Sequence, residues 1–193
     1  MALTRMRIIA GDDRLKSRVE DTAQRVLAKS RDPDAVKQDI YDMRKRLAAE
    51  KPGRTLWELK TAPGGLIDIE FIAQQSLLLR GSDALQPNIA AALESLAHSQ
   101  DLAPQHADIL ITELRDLQSL QQVLRLAVGV NFDPETASIG LKSRLARAVG
   151  AASFTEASDR LAEGKRRAAD IRCKKIGPIA TDREGRARYT DIR

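Results

Sequence analysis

Two acids and a pair of glycines form the stretch of this sequence best equipped for chemistry. They lie within Leu59-Lys60-Thr61-Ala62-Pro63-Gly64-Gly65-Leu66-Ile67-Asp68-Ile69-Glu70-Phe71-Ile72-Ala73-Gln74-Gln75. A helix that starts at two glycines leaves its first N–H groups uncovered, and those groups together with the helix dipole favour an anion. Lys60, just upstream, adds a positive charge to the same place. Asp68 and Glu70 are two residues apart, about 200° around a helix, so they are not a paired-carboxylate site. Asp68 shares an edge with Gln75, and Glu70 sits above Gln74 on the opposite side. Leu66, Ile67, Ile69, Phe71, Ile72 and Leu77 fill most of the remaining surface. A helix this apolar belongs at the centre of a fold, where its polar groups need partners. The residues alone leave two readings open: an anion site, or a turn and a buried helix whose acids are satisfied internally.

Other chemistries have little to stand on. His98 and His106 are eight residues apart across the Pro104 break, so they do not share a helical face as a metal-binding pair would. Cys173 lies among Arg172, Lys174 and Lys175, which favour a thiolate, but no histidine is near in sequence to act as its base. There is no Walker A pattern and no dinucleotide fingerprint. No residue of this chain is expected to be catalytic or to bind a metal.

The elements that hold the Lys60–Gln75 stretch follow from composition and periodicity. The 193 residues suit one domain, and 42% hydrophobic with 31% charged residues allows a core in a water-exposed protein. No apolar run reaches the roughly 18–20 residues of a membrane span. The first residues have no signal-peptide pattern, and a single cysteine excludes an internal disulfide, so the cytoplasm is the expected compartment. Six aromatic residues are too few for a β-sandwich or for base-stacking platforms. The net charge of +5 is concentrated in Lys165–Arg193, which carries ten Lys/Arg against four Asp/Glu, while the rest is near neutral. That distribution reads as a solvated basic tail on a neutral body, and nucleic acid is not an expected partner.

The periodicity is helical nearly throughout. Ala2–Ala10 reads as the last turns of a helix closed by Gly11. A second helix runs from Asp12 or Asp13 to about Lys29 with Leu15, Val19, Val26 and Leu27 as its stripe. A third starts at Asp32-Pro33 and ends at Lys51-Pro52-Gly53; it buries Val36, Ile40, Met43 and Leu47 and turns Arg44-Lys45-Arg46 away. Thr55–Lys60 reads as a short extended piece. Helices then span Gly65–Arg80, Pro87–Ser99, Pro104–Val128, Ser138–Val149 and Thr155–Lys174. On the sixth of these eight, Leu110, Leu114, Leu117, Leu120 and Leu124 keep a bundle-seam rhythm. The expectation is an all-α, antiparallel up-and-down bundle of about four core helices with extra terminal ones. One domain spans residues 1–175, and 176–193 form a flexible tail.

The pattern Lys60-x-x-x-Gly64-Gly65-x-x-Asp68-Ile69-Glu70-Phe71-x-x-Gln74 resembles the helical domain that follows a nucleotidyltransferase domain in the glutamine synthetase adenylyltransferases. A related form occurs in the uridylyltransferase that modifies the PII protein. Ala2–Arg7 with Gly11-Asp12, Asp39–Arg44 with Arg46, Ile89–Leu96 and Leu110–Leu126 extend the similarity to roughly residues 2–150. The Met43-Arg44-Lys45-Arg46 and Asp68-Ile69-Glu70-Phe71 wording resembles the C-terminal, adenylylating half. The resemblance implies a bundle-like accessory domain of an enzyme that moves AMP from ATP to a tyrosine of glutamine synthetase and removes it. Mg2+ and ATP would serve the full-length enzyme. Its own catalytic domain, glutamine synthetase and the PII protein would be the partners.

By the same resemblance Lys60 lies near phosphate, and Gly64 and Gly65 allow close backbone approach. Asp68, Glu70, Phe71 and Gln74 then belong to an interdomain, nucleotide-facing cleft. The family's Gly-Ser followed by Asp-x-Asp is missing: Gly81-Ser82 is followed only by Asp83. The chain is therefore expected to be a piece that transfers no AMP by itself and holds no cofactor. A scaffold that binds PII or glutamine synthetase, and a helical nucleic-acid module using the basic tail, are the competing readings.

Overall fold

A computed structural model describes residues 2–81, 84–128 and 132–179. Among them a 3-10 turn, Ala2–Arg5, precedes seven α-helices: α1 Asp13–Leu27, α2 Pro33–Glu50, α3 Leu66–Arg80, α4 Ile89–His98, α5 Pro104–Ala127, α6 Ile139–Ala148 and α7 Phe154–Lys175. No strand occurs among the described residues. The all-α class holds, as a helical bundle.

The helix starts are written in the sequence. The side chains of Asp12, Asp32, Asn88, Ser138 and Ser153 each accept an N–H from the first turn they precede. Such caps supply partners for amides that the helix itself leaves orphaned. α3 is the axis of the bundle: twelve of its fifteen residues are buried, and it packs against α2, α4, α5 and α7. Its apolar residues on every side are what a central helix requires. α5 packs on α4, α6 and α7 through a seam that buries Leu110, Leu114, Leu117 and Leu120.

The local structure departs from the periodicity in several places, each with an identifiable cause. Ala2–Arg5 is only one 3-10 turn, because Thr4 is drawn into the interior and its carbonyl accepts from Gln86 N at 2.7 Å. Thr55–Lys60 is a set of turns. There the Leu56 and Glu58 carbonyls accept from the Lys165 ammonium, while those of Leu59 and Lys60 accept from the first amides of α3. Trp57 in the same loop stacks on Phe154 at 5.1 Å and meets Phe132 edge-on at 4.9 Å, so three of the six aromatics pin the loop to the α6–α7 end. α1 keeps only Ala23 and Leu27 inside; Leu15, Val19 and Val26 are exposed. Arg31 ends that helix by donating to the carbonyls of Val26, Leu27 and Lys29.

Arg44 corrects the reading of α2. It does not face away with Lys45 and Arg46; the buried line is Ile40, Arg44 and Ala48, and Met43 is exposed. The basic count at the C-terminal end is not all solvated either, since Lys165 and Arg172 are fully buried. Past Lys175, Ile176 and Ile179 are also buried, so packing continues beyond the last helix. Residues 180–193 of the expected tail, and Ser82-Asp83, lie outside the described residues.

Candidate functional site

Asp68 sits in the first turn of α3 with no exposed surface, and its carboxylate is gripped from three directions. Arg44 of α2 donates from Nε to Oδ1 at 2.5 Å. Arg172 of α7 donates from Nε to Oδ2 at 3.2 Å, and the backbone N–H of Gly64 donates to the same oxygen at 2.7 Å. The guanidinium groups are spent on carbonyls as well: Arg44 Nη2 donates to Thr61 O at 2.9 Å, and Arg172 Nη1 donates to Gly177 O. One carboxylate thus joins α2, the loop before α3, and α7. Charge-assisted bonds of this kind are roughly twice as strong as neutral ones, and removing one member leaves an uncompensated buried charge.

The two glycines belong to the same construction. Gly64 has φ +75°, and a Cβ on it would overlap the carbonyl of Lys165. A Cβ on Gly65 would press on the carbonyls of Leu59 and Ala62. Close backbone approach is therefore what these glycines permit, and the backbone that approaches Gly64 is α7. Of the two readings left open for the start of α3, the amide geometry favours the internally satisfied turn and buried helix over an anion site. Gly65 N donates to Ala62 O at 2.9 Å, Leu66 N to Leu59 O at 3.0 Å and Ile67 N to Lys60 O at 3.2 Å, while Gly64 N is held by Asp68. The amides are already satisfied by the chain itself.

The other motif residues divide between surface and interior. Lys60 is exposed. Glu70 is partly exposed and accepts from Arg5 Nη1 at 2.9 Å. Phe71 and Gln74 are buried, and Gln74 Nε2 finds no partner among the described residues. Asp68 and Glu70 point to different environments, as their spacing requires.

A second buried polar pair lies beside the first. Lys165 Nζ donates to Leu56 O at 2.8 Å and Glu58 O at 3.3 Å. Burial pushes its ammonium down to about 8, against the pull of Glu113, Asp68 and Glu58. Glu113 of α5 has its carboxylate pressed against Gly164. Burial pushes it up to about 8, with the Lys165 charge the main force in the other direction. Arg44, Arg172, Lys165 and Glu113 were not among the candidate residues. Their signal lay in register: Arg44 falls between Ile40 and Ala48 at spacings of four, and Lys165 and Arg172 continue the buried line of Leu161 and Ala168.

The described residues do not fit a magnesium–ATP centre. Among the described residues no three His, Cys, Asp or Glu side chains gather where they could hold a metal ion. The one fully buried carboxylate of the motif is already taken by two arginines.

A helical domain built around a buried Arg–Asp–Arg centre is the class that fold and site define. The family model described as GlnD PII-uridylyltransferase matches residues 34–172, a stretch that contains Arg44, Asp68 and Arg172, and the chain belongs to this family. Among curated relatives, it is 36% identical over 166 residues to a protein of Rhodopseudomonas palustris and 39% identical over 168 residues to one of Bradyrhizobium sp.. It is 39% identical over 166 residues to one of Xanthobacter autotrophicus. All three are named bifunctional glutamine synthetase adenylyltransferase/adenylyl-removing enzyme, and each alignment takes in 84% of this chain. The chain spans only 17% of the length of these relatives.

Proposed function

We propose that this chain is the helical accessory domain of a nucleotidyltransferase that transfers AMP from ATP to a tyrosine of glutamine synthetase, in the adenylylating half of a bifunctional enzyme. The relatives' names and their even coverage of this chain support that reading. In it, ATP and Mg2+ are held by a separate catalytic domain. Glutamine synthetase is the substrate protein, the PII protein a regulator, and the cytoplasm the compartment. No described helix is long and apolar enough to cross a membrane.

The observation that carries the domain's role is the burial of Asp68 between Arg44 and Arg172. A motif at the nucleotide would present its carboxylate outward, whereas this one locks α2, α3 and α7 into one body. The domain's contribution is then positional: a stiff surface against which the catalytic domain orients its reactants, where misplacement by about 1 Å can cost on the order of a hundredfold in rate. The test compares the 193-residue chain with the full-length polypeptide for AMP incorporation into glutamine synthetase with ATP and magnesium. Incorporation by the full-length polypeptide alone is expected. Activity of the 193-residue chain in a clean preparation, or none in either, overturns the reading.

A further inference from the structure

The N-terminal quarter of the chain carries an apolar face that nothing in the described residues covers. The 3-10 turn and α1 enclose a groove of about 330 Å3 lined by Leu3, Met6, Leu15, Val19 and Val26. A second, of about 340 Å3, continues over α2 and the end of α3, lined by Leu27, Ile40, Met43 and Leu78. Leu3 and Val26 belong to both, so the two form one strip across four elements. Leu3, Leu15, Val19, Val26 and Met43 are each between 37% and 55% exposed, on residue types that folding normally hides. Covering the exposed part of each such side chain is favourable, and contiguous strips of this kind mark interaction surfaces.

We propose that this strip seats another domain of the same polypeptide, one that presents a row of apolar side chains to the 3-10 turn, α1 and α2. Two observations select that occupant. The turn and α1 precede residue 34, where the family match begins, so four of the five exposed apolar side chains, Leu3, Leu15, Val19 and Val26, stand outside the matched stretch and only Met43 inside it. The relatives also carry more than four-fifths of their length outside the part this chain covers, which supplies protein to cover it. The strip is joined to the motif as well: Arg5 of the turn holds Glu70, the motif carboxylate that reaches the surface. Docking here would pass through Arg5 and Glu70 to α3. The inference rests on the proposed accessory role, because it takes the longer polypeptide of that enzyme as its setting.

Hydrogen exchange of the α1 amides tests it, in the full-length polypeptide and in the 193-residue chain, with and without Leu15→Glu and Val19→Glu. Both side chains are exposed, so the double variant leaves the fold of the 193-residue chain intact. The α1 amides are expected to exchange at least about tenfold more slowly in the full-length polypeptide, and the double variant is expected to abolish that protection. Equal exchange in the two lengths overturns the proposal. So does a concentration-dependent dimer of the 193-residue chain that the double variant dissolves, which would make a second copy the occupant. AMP transfer measured on the same full-length samples separates the two ideas: protection without transfer refutes the proposed activity alone, and transfer without protection refutes the docking alone.

Discussion

Arg172 meets Asp68 across 104 positions of sequence, Nε to Oδ2 at 3.2 Å, where neither side chain has any exposed surface. The last turn of the long C-terminal helix is thereby tied to the first turn of the central one. Arg44 holds the opposite oxygen of the same carboxylate.

Asp68→Asn should therefore destabilise the chain strongly. It leaves two buried guanidinium groups facing a neutral amide, a loss of about 3–5 kcal/mol by analogy with broken buried ion pairs. In a domain of this size the melting temperature should fall by roughly 6–20 °C. In the full-length polypeptide, AMP transfer per folded molecule should be nearly unchanged. A thermal melt and a rate corrected for folded fraction check both; an unchanged melt with a lost rate would place Asp68 at the nucleotide after all.

The same residue shows how far the sequence could be read. Helix starts were legible because caps are local: Asp12, Asp32, Asn88, Ser138 and Ser153 announce them without any tertiary information. The centrality of α3 was legible from its apolar surround. Its partners were not, since Arg44 sits in an Arg-Lys-Arg run and Arg172 in a basic block, where local charge argues for solvent. Only the register of each arginine with its buried neighbours contradicts that, and register becomes decisive once a buried carboxylate is known to await a partner. The opposite error occurred at Leu15, Val19 and Val26, whose regular stripe faces outward. Periodicity marks a face to be covered and does not say by what.

Lys60→Ala and Glu70→Gln test the part of the motif that reaches the surface. Lys60 is exposed, so its loss should change stability by no more than about 0.5 kcal/mol. Glu70 pairs with a half-exposed Arg5, and removing that pair should cost about 0–1 kcal/mol. If the motif's surface meets the catalytic domain, AMP transfer by the full-length polypeptide should fall about tenfold or more, the effect of losing one charge-assisted contact. Full rates in both variants would leave the Lys60–Gln74 stretch with a folding role only.

Gly64→Ala should be among the most damaging single changes. The new Cβ would meet the Lys165 carbonyl, and φ +75° is a conformation that alanine adopts only under strain. Overpacking and strain together predict a loss of roughly 2–5 kcal/mol, read from chemical denaturation. Gly140→Ala is the control, because a Cβ there meets nothing within 4 Å. If the two variants unfold at the same denaturant concentration, the close crossing of the α3 loop on α7 is not a constraint.

The buried pair on α5 and α7 predicts an unusual dependence of stability on pH. Burial lifts Glu113 from 4.5 to about 8, so between those values the folded chain keeps a proton that the unfolded chain releases. Stability contributed there is fully present below pH 4.5 and falls as pH rises toward 8. Burial lowers Lys165 from 10.5 to about 8, so between 8 and 10.5 the unfolded chain holds the extra proton and stability rises with pH. The two opposed limbs should give a minimum near pH 8. Glu113→Gln removes the falling limb, and its advantage over the parent chain should grow with pH to on the order of 4 kcal/mol by pH 8. Lys165→Met tests the other limb: it removes the rise above pH 8 but sacrifices the bonds to Leu56 and Glu58, so its midpoint should drop at every pH while its profile flattens. Urea midpoints from pH 5 to 10 decide the matter. A parent profile that rises steadily through pH 8, or a Glu113→Gln profile parallel to it, would show that Glu113 is ionised in the folded chain at neutral pH.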